Sequence, residues 1–230
     1  MALEAVQFHP MDYEAFDDNL VPIAQFLLRL RQFGIMDRRM VDAFESVPRQ
    51  PFQPTDAKRG PLFGERPQPI DCGQLDTPPI LAARMIEALA PTTRCRVLEV
   101  GTGSGYLAAV LSRLSRRVYT VDRFRTLAFA AQARFEMLRI ANITSVFGDG
   151  LDGWPEKGPF DRIVSSASAQ AVPPAFIEAL STSGTLVMPI GPDDGIQTLT
   201  RFIRVDRQLV ATPICSVRMV PLIKGKAARL

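Results

Sequence analysis

Residues 97–106, Val97-Leu98-Glu99-Val100-Gly101-Thr102-Gly103-Ser104-Gly105-Tyr106, decide the fold. An apolar run carrying Glu99 gives way to three glycines alternating with small polar residues. Leu107-Ala108-Ala109-Val110-Leu111-Ser112-Arg113-Leu114 then follows with helical spacing. The pattern predicts strand, tight turn and helix. Glycine at such a turn reaches positive φ and lets a ligand lie directly against the main chain. A dinucleotide site spaces its glycines G-x-G-x-x-G, and the third packs helix on strand beneath a pyrophosphate. Here Tyr106 holds the third position and Gly105 comes one residue early. That spacing argues against a nicotinamide-dependent oxidoreductase. It suits a ligand that brings an amino-acid carboxylate and a ribose to the turn, and S-adenosylmethionine is such a ligand.

Gly101, Thr102, Gly103 and Gly105 are therefore candidate cofactor contacts. Glu99 either meets the amino end of the methionine moiety or braces the turn by accepting from its N–H groups. A second carboxylate lies 21 residues past Gly101, where Val118-Tyr119-Thr120-Val121-Asp122 reads as the next parallel strand. Asp122 there can accept from both ribose hydroxyls, with Arg123 beside it; its plainer role is to cap the helix starting near Arg125. In Phe147-Gly148-Asp149-Gly150, Asp149 can accept from an adenine amino group and Gly150 gives close approach, although such a tripeptide is also an ordinary turn.

Outward from this centre, strands are expected at 96–100, 117–121, 143–147, 160–165 and 184–190. Helices are expected at 105–115, 125–140 and 173–181. The alternation predicts an α/β fold with a doubly wound, mostly parallel, Rossmann-like sheet and a ligand at the strands' carboxyl edge. Three further extended stretches, 197–204, 208–211 and 217–222, have no helices between them and predict an antiparallel C-terminal edge. Ahead of the sheet, helical spacing at 23–33 and 38–46 is split by Gly34, and a third helix starts at Pro79. The Pro- and Gly-rich stretch 47–79 between them reads as loop with short extended pieces, a length that goes with function. Three parts are expected: a flexible lead-in over 1–20, a helical and loop extension over 21–90 that covers the active site, and a cofactor-binding catalytic domain over 91–230.

The 230 residues, 47% hydrophobic and 22% charged, carry a net charge of +3. Those values fit a soluble globular protein, and the scattered basic residues give no nucleic-acid footprint. No apolar run nears the roughly 18 residues of a membrane span. The acidic N-terminus has neither the basic nor the apolar region of a secretory signal. Three widely spaced cysteines, Cys72, Cys95 and Cys215, argue against a disulfide framework or zinc site and for a reducing cytoplasm. His9 is the only histidine. Catalysis through a Ser-His or Cys-His pair, or through a histidine-held metal, is therefore not expected. Methyl transfer to a carboxylate needs no imidazole, because that acceptor is already ionised at neutral pH.

From about Gly34 to Leu222 the chain resembles the protein-L-isoaspartate (D-aspartate) O-methyltransferases. The likeness rests on Gly34-Ile35-x-Asp37, Val47-Pro48-Arg49, Val97–Tyr106, Gly148-Asp149-Gly150 with Gly153-Trp154-Pro155, and Phe160-Asp161-x-Ile163-Val164. It continues through Gly184-x-Leu186-Val187-x-Pro189-Ile190-Gly191 and Val220-Pro221-Leu222. The resemblance implies a repair enzyme that methylates the stray carboxylate of isoaspartyl residues, leaves S-adenosylhomocysteine, and acts on damaged peptides and proteins. A cytoplasmic monomer with no metal, membrane or nucleic-acid partner is expected. The family's Gly-Gln-Thr-Ile-Ser-x-Pro loop falls on Gly73-Gln74-Leu75-Asp76-Thr77-Pro78-Pro79, so Thr77 supplies the active-site hydroxyl, while Leu75 and Asp76 depart. Thr77's plainer role is to cap the helix at Pro79. The family's first-helix Met-Val-x-x-Gln finds no counterpart at 25–29. Ser165, Ser166 and Ala167 would line the acceptor side of the pocket, and Val220, Pro221 and Leu222 would bind the peptide backbone; an ordinary strand-to-helix loop and an edge strand are their plainer readings. A different carboxylate, peptide or RNA acceptor, or cofactor binding without turnover, are the other readings of the same fold.

Overall fold

A computed structural model of the chain describes residues 20–53, 61–206 and 208–227. The lead-in expected over 1–20, with His9, lies outside the described residues except for Leu20. The first helix, α1 (Leu20–Gln32), stops where Gly34 takes φ +82°, and the Ile35 N–H returns to the Leu30 carbonyl at 2.9 Å. This left-handed turn sends Ile35 into the core. α2 (Arg38–Ser46) begins on Asp37, whose side chain accepts from the Arg39 N–H at 2.9 Å. Among its described residues, the stretch expected as loop holds two 3₁₀ turns, at Gln50–Phe52 and Asp71–Gly73, and a two-residue antiparallel ladder of β1 (Gln68–Pro69) and β2 (Leu75–Asp76). α3 (Pro79–Leu89) follows, with proline in its first turn.

The remaining strands form one sheet. β3 (Arg96–Val100), β4 (Arg117–Asp122), β5 (Ile143–Phe147), β6 (Phe160–Ser165) and β7 (Leu180–Ile190) run parallel. β8 (Gln197–Val205) and β9 (Gln208–Val217) run antiparallel, and the order is β5-β4-β3-β6-β7-β8-β9. α4 (Tyr106–Leu114), α5 (Arg125–Met137) and α6 (Pro174–Ala179) make the connections.

The doubly wound, mostly parallel sheet and its antiparallel edge are as the sequence predicts; several boundaries differ. α5 ends at Met137 rather than 140. Arg139 turns left-handed, with φ +53°, so that Ile140 can bond the Phe135 carbonyl at 2.8 Å and bury its side chain. α6 is shorter than expected, and β7 starts at Leu180. β9 runs on to Val217, through Pro213, because an edge strand tolerates a missing N–H. The stretch expected as a strand over 217–222 is not one. Pro221 cannot donate to a ladder, and the segment instead crosses to the loop after β6. There the Ser168 N–H bonds the Val220 carbonyl at 2.8 Å, and the Leu222 N–H bonds that of Ser168 at 2.7 Å.

One apolar core joins the N-terminal helices to the sheet: Phe26, Leu30, Phe44 and Met85 share it with Val97, Leu111 and Val118. An aromatic chain carries the contact. The Phe63 ring stacks on Phe26 at 4.6 Å, Phe26 meets Phe44 at 5.2 Å, and Phe44 and Phe52 reach Tyr106 at 6.3 and 5.5 Å. Among the described residues no helix is long and apolar enough to cross a membrane, and no three metal-ligating side chains cluster.

Candidate active site

Parallel strands deliver their carboxyl ends to one edge of the sheet, and the chain's acids and glycines collect there. β3 ends in the glycine turn, β4 in Asp122, and β6 in the Ser165–Ala167 loop. Gly101 has φ +94°, and a side chain there would strike the Ser166 hydroxyl, which donates to the Gly101 carbonyl at 3.0 Å. Only glycine fits that crossing.

Two adjoining clefts flank this turn. The outer one spans about 620 Å³, counting the space open to solvent. Gly101, Gly103, Asp122, Arg123, Gly150, Ser166, Ala167 and Val220–Leu222 line it, together with Ile70, Phe124, Leu127 and Ile223. The inner one, about 340 Å³, is lined by Asp76, Thr77, Glu99, Thr102 and Tyr106, and it shares Leu75, Gly101, Gly103 and Ser166 with the outer. The sequence's cofactor and acceptor residues thus meet across one backbone turn.

Asp122 is buried at the end of β4. Its Oδ2 accepts from the Gly103 N–H at 2.9 Å and its Oδ1 from the Phe124 N–H at 2.8 Å. It therefore ties the glycine turn to the start of α5 and keeps lone pairs free toward the outer cleft. Burial pushes its carboxyl above the usual range, against the pull of the Phe124 and Gly103 hydrogen bonds. Glu99 is fully buried, and its Oε2 accepts from the Thr120 hydroxyl at 2.5 Å while Thr120 and Thr102 share a hydrogen bond at 2.6 Å. Its Oε1 has no partner among the described residues. Burial outweighs the Thr120 bond and pushes the Glu99 carboxyl up to about 8. An unpartnered acid oxygen beside bare glycine backbone fits the amino end of S-adenosylmethionine, and Asp122 across the turn fits a ribose.

Three predicted residues lie behind the clefts rather than on them. Gly105 packs under the turn, where a Cβ would come within 2.9 Å of the Phe135 ring, so it serves helix packing. Ser165 is fully buried; its hydroxyl donates to the Ala167 carbonyl at 2.8 Å and accepts from the Ala167 N–H at 3.1 Å. Asp149 caps the 3₁₀ turn through Leu151, at 2.9 Å, and its second oxygen accepts from the Gly225 N–H at 2.5 Å. Arg123 holds the same tail, donating from Nε to the Gly225 carbonyl at 3.1 Å. Trp154 stands edge-on to Tyr119 at 5.6 Å, as packing.

Sequence reasoning missed the apolar wall of Ile70, Phe124, Leu127 and Ile223, which comes from separate segments. It also missed how Asp76 is satisfied. That carboxylate does not face water: Arg49 donates to its Oδ2 at 2.5 Å and the Ser104 hydroxyl to its Oδ1 at 2.7 Å. The one signal available was the position of Arg49 in Val47-Pro48-Arg49, and nothing in its residue type predicts burial.

A glycine turn after the first parallel strand, an acid at the end of the second, and an antiparallel edge define a Rossmann-like class I methyltransferase. The profile of the protein-L-isoaspartate(D-aspartate) O-methyltransferase family matches residues 23–227. A protein-L-isoaspartate O-methyltransferase of Maricaulis maris is 45% identical over 206 residues, covering 90% of this chain and 96% of the relative. One from Xanthobacter autotrophicus is 48% identical over 205 residues, covering 89% and 93%. A solved protein-L-isoaspartate O-methyltransferase superposes with a TM-score of 0.78 at 27% identity, over 89% of this chain and 67% of that one. The chain belongs to the protein-L-isoaspartate(D-aspartate) O-methyltransferase family.

Proposed function

We propose that the protein moves the methyl group of S-adenosylmethionine to the free carboxylate of isoaspartyl residues in damaged proteins, and so serves their repair. One observation carries this reading. Thr77 and Glu99 line a single cleft, which shares Gly101, Gly103 and Ser166 with a second cleft walled by Asp122 and Val220–Leu222. A cofactor cradle and an acceptor hydroxyl therefore share one wall.

S-adenosylmethionine, when bound, supplies a sulfonium methyl that a carboxylate oxygen takes with no proton transferred. The protein's part is binding and orientation. Glu99 and the glycine turn receive the amino-acid end, and Asp122 receives the ribose beside the Phe124 and Leu127 side chains. Thr77 donates its hydroxyl to the acceptor carboxylate and fixes its angle. Ser166 and Ala167, small residues on the opposite wall, leave room for a peptide backbone that follows Val220–Leu222. Residues 21–90 act as a cover over the catalytic unit at 91–230, and the protein works as a monomer in the cytoplasm. Its free cysteines are in keeping with a reducing compartment.

The test pairs an isoaspartyl peptide with its normal aspartyl counterpart, each incubated with the protein and methyl-labelled cofactor. Label is expected on the isoaspartyl peptide alone. Equal labelling of both, or none on either, refutes the reading.

A further inference from the structure

Asp76 stands where the resembling motif carries isoleucine, directly before the hydroxyl of Thr77 and on the wall of the inner cleft. A carboxylate there repels an anionic acceptor unless it is neutralised. Its side chain is only 11% exposed, and that of the Arg49 paired with it only 2%. Arg49 reaches it from the 3₁₀ turn after α2, and Ser104 reaches it from the glycine turn. The guanidinium also lies over the Tyr106 ring, 4.2 Å from its centre, and its Nε and Nη1 have no partner among the described residues. A cation this buried, with one ion pair and two idle donors, is placed for its charge more than for its hydrogen bonds.

We propose that Arg49 and Asp76 form a charge-balancing pair that determines acceptor specificity: Arg49 masks the Asp76 carboxylate so that the inner cleft admits an anionic acceptor beside Thr77. The inference rests on the isoaspartyl reading above. The reaction brings a cationic sulfonium and an anionic carboxylate together in one small space. A bare Asp76 would hold the first more tightly and repel the second. A bare Arg49 would do the reverse. The balanced pair does neither.

This opposition of signs makes the test. Arg49→Gln, Asp76→Asn and the double variant are compared with the unaltered protein by the KM for an isoaspartyl peptide and by calorimetric titration with S-adenosylmethionine. Arg49→Gln should raise the peptide KM about tenfold or more and leave cofactor affinity equal or tighter. Asp76→Asn should weaken cofactor binding about threefold or more without raising the peptide KM. The double variant, which lacks both charges and the ion pair, should return both constants to within about threefold of the unaltered protein. A double variant as impaired toward peptide as Arg49→Gln overturns the proposal, because a purely structural clasp is lost there too. Should thermal unfolding show that Arg49→Gln does not fold, a raised peptide KM in Asp76→Asn overturns it equally. If the unaltered protein methylates no isoaspartyl peptide, the functional reading fails, and the opposed cofactor affinities of the single variants still judge the pair.

Discussion

Glu99 should make cofactor binding release a proton. Burial pushes its carboxyl from an ordinary 4.5 up to about 8, so at pH 7 roughly nine-tenths of the unliganded protein carries it protonated. An ammonium group arriving at the unpartnered Oε1 favours the carboxylate and expels that proton. The ligand's own α-amino group, which titrates at about 7.7–8.0 when unperturbed, takes up only about a tenth of a proton at pH 7. Net release should be roughly 0.8 proton per cofactor at pH 7. Calorimetric titrations in two buffers of different ionisation enthalpy read this directly. Affinity should rise about sixfold per pH unit around pH 7 and pass through a maximum near pH 8, where the ligand's amine begins to lose its own proton. Glu99→Gln keeps the shape of the protonated acid. It should abolish the release and weaken binding at pH 8 by about 1.5–3 kcal/mol, the worth of a charged hydrogen bond. The raised value also sets a stability trend. The folded protein holds this proton up to about 8 while the unfolded chain loses it near 4.5. Its contribution is complete below pH 4.5 and is lost as pH climbs through 8, at about 1.4 kcal/mol per unit and on the order of 5 kcal/mol in all. The unliganded protein should therefore melt lower at pH 8.5 than at pH 6, and Glu99→Gln should flatten the difference. A cofactor affinity independent of pH from 6 to 8, with no buffer-dependent heat, refutes the reasoning.

Asp122→Ala strands the Gly103 and Phe124 N–H groups and removes the ribose acceptor; S-adenosylmethionine affinity by calorimetry should fall by about 1–3 kcal/mol, and an unchanged value removes Asp122 from the site. Thr77→Val should lower kcat on the isoaspartyl peptide about tenfold or more with cofactor affinity within about threefold, since a neutral hydrogen bond to a charged acceptor is lost; the opposite pattern makes Thr77 structural. Gly105→Ala must place a methyl against Phe135 at φ +91°, so its denaturation midpoint should fall by the equivalent of about 1–3 kcal/mol, and an unshifted midpoint contradicts the packing role.

The sheet was legible because period, glycine spacing and strand-end acids all act locally. Residues 97–106 carry strand, turn and helix in one contiguous run, and Asp122 stands where the next strand must end. What the sequence hides is where a side chain's hydrogen bonds go. Asp149 reads as an adenine acceptor by its place after β5, and what the sequence does not show is that its oxygens also accept from the N–H groups of Leu151 and of Gly225, 76 residues later. Ser165 and Ser166 are indistinguishable in sequence, but alternation at a strand end buries the first and turns the second to the cleft. Residues 217–222 read as a strand from Val217, Val220 and their apolar neighbours, yet only Val217 joins one and the rest do not. Pro221 and the Gln197 side chain, which accepts from the Met219 N–H at 2.9 Å, divert them to the Ser168 loop instead.

Tyr106 shows why the early third glycine matters beyond cofactor choice. Moving the glycine to 105 keeps the close packing of α4 on Phe135 and frees the next position for bulk. A tyrosine there is buried, and its ring receives Phe44, Phe52 and the Arg49 guanidinium. Those three residues all precede the sheet in sequence. The Tyr106 ring is thus the anchor for the N-terminal segment, and through the Arg49–Asp76 pair that anchor extends to the residue beside Thr77. The glycine turn and the stretch holding Asp76 and Thr77 are joined through the same side chain, so truncating Tyr106 should disturb both at once.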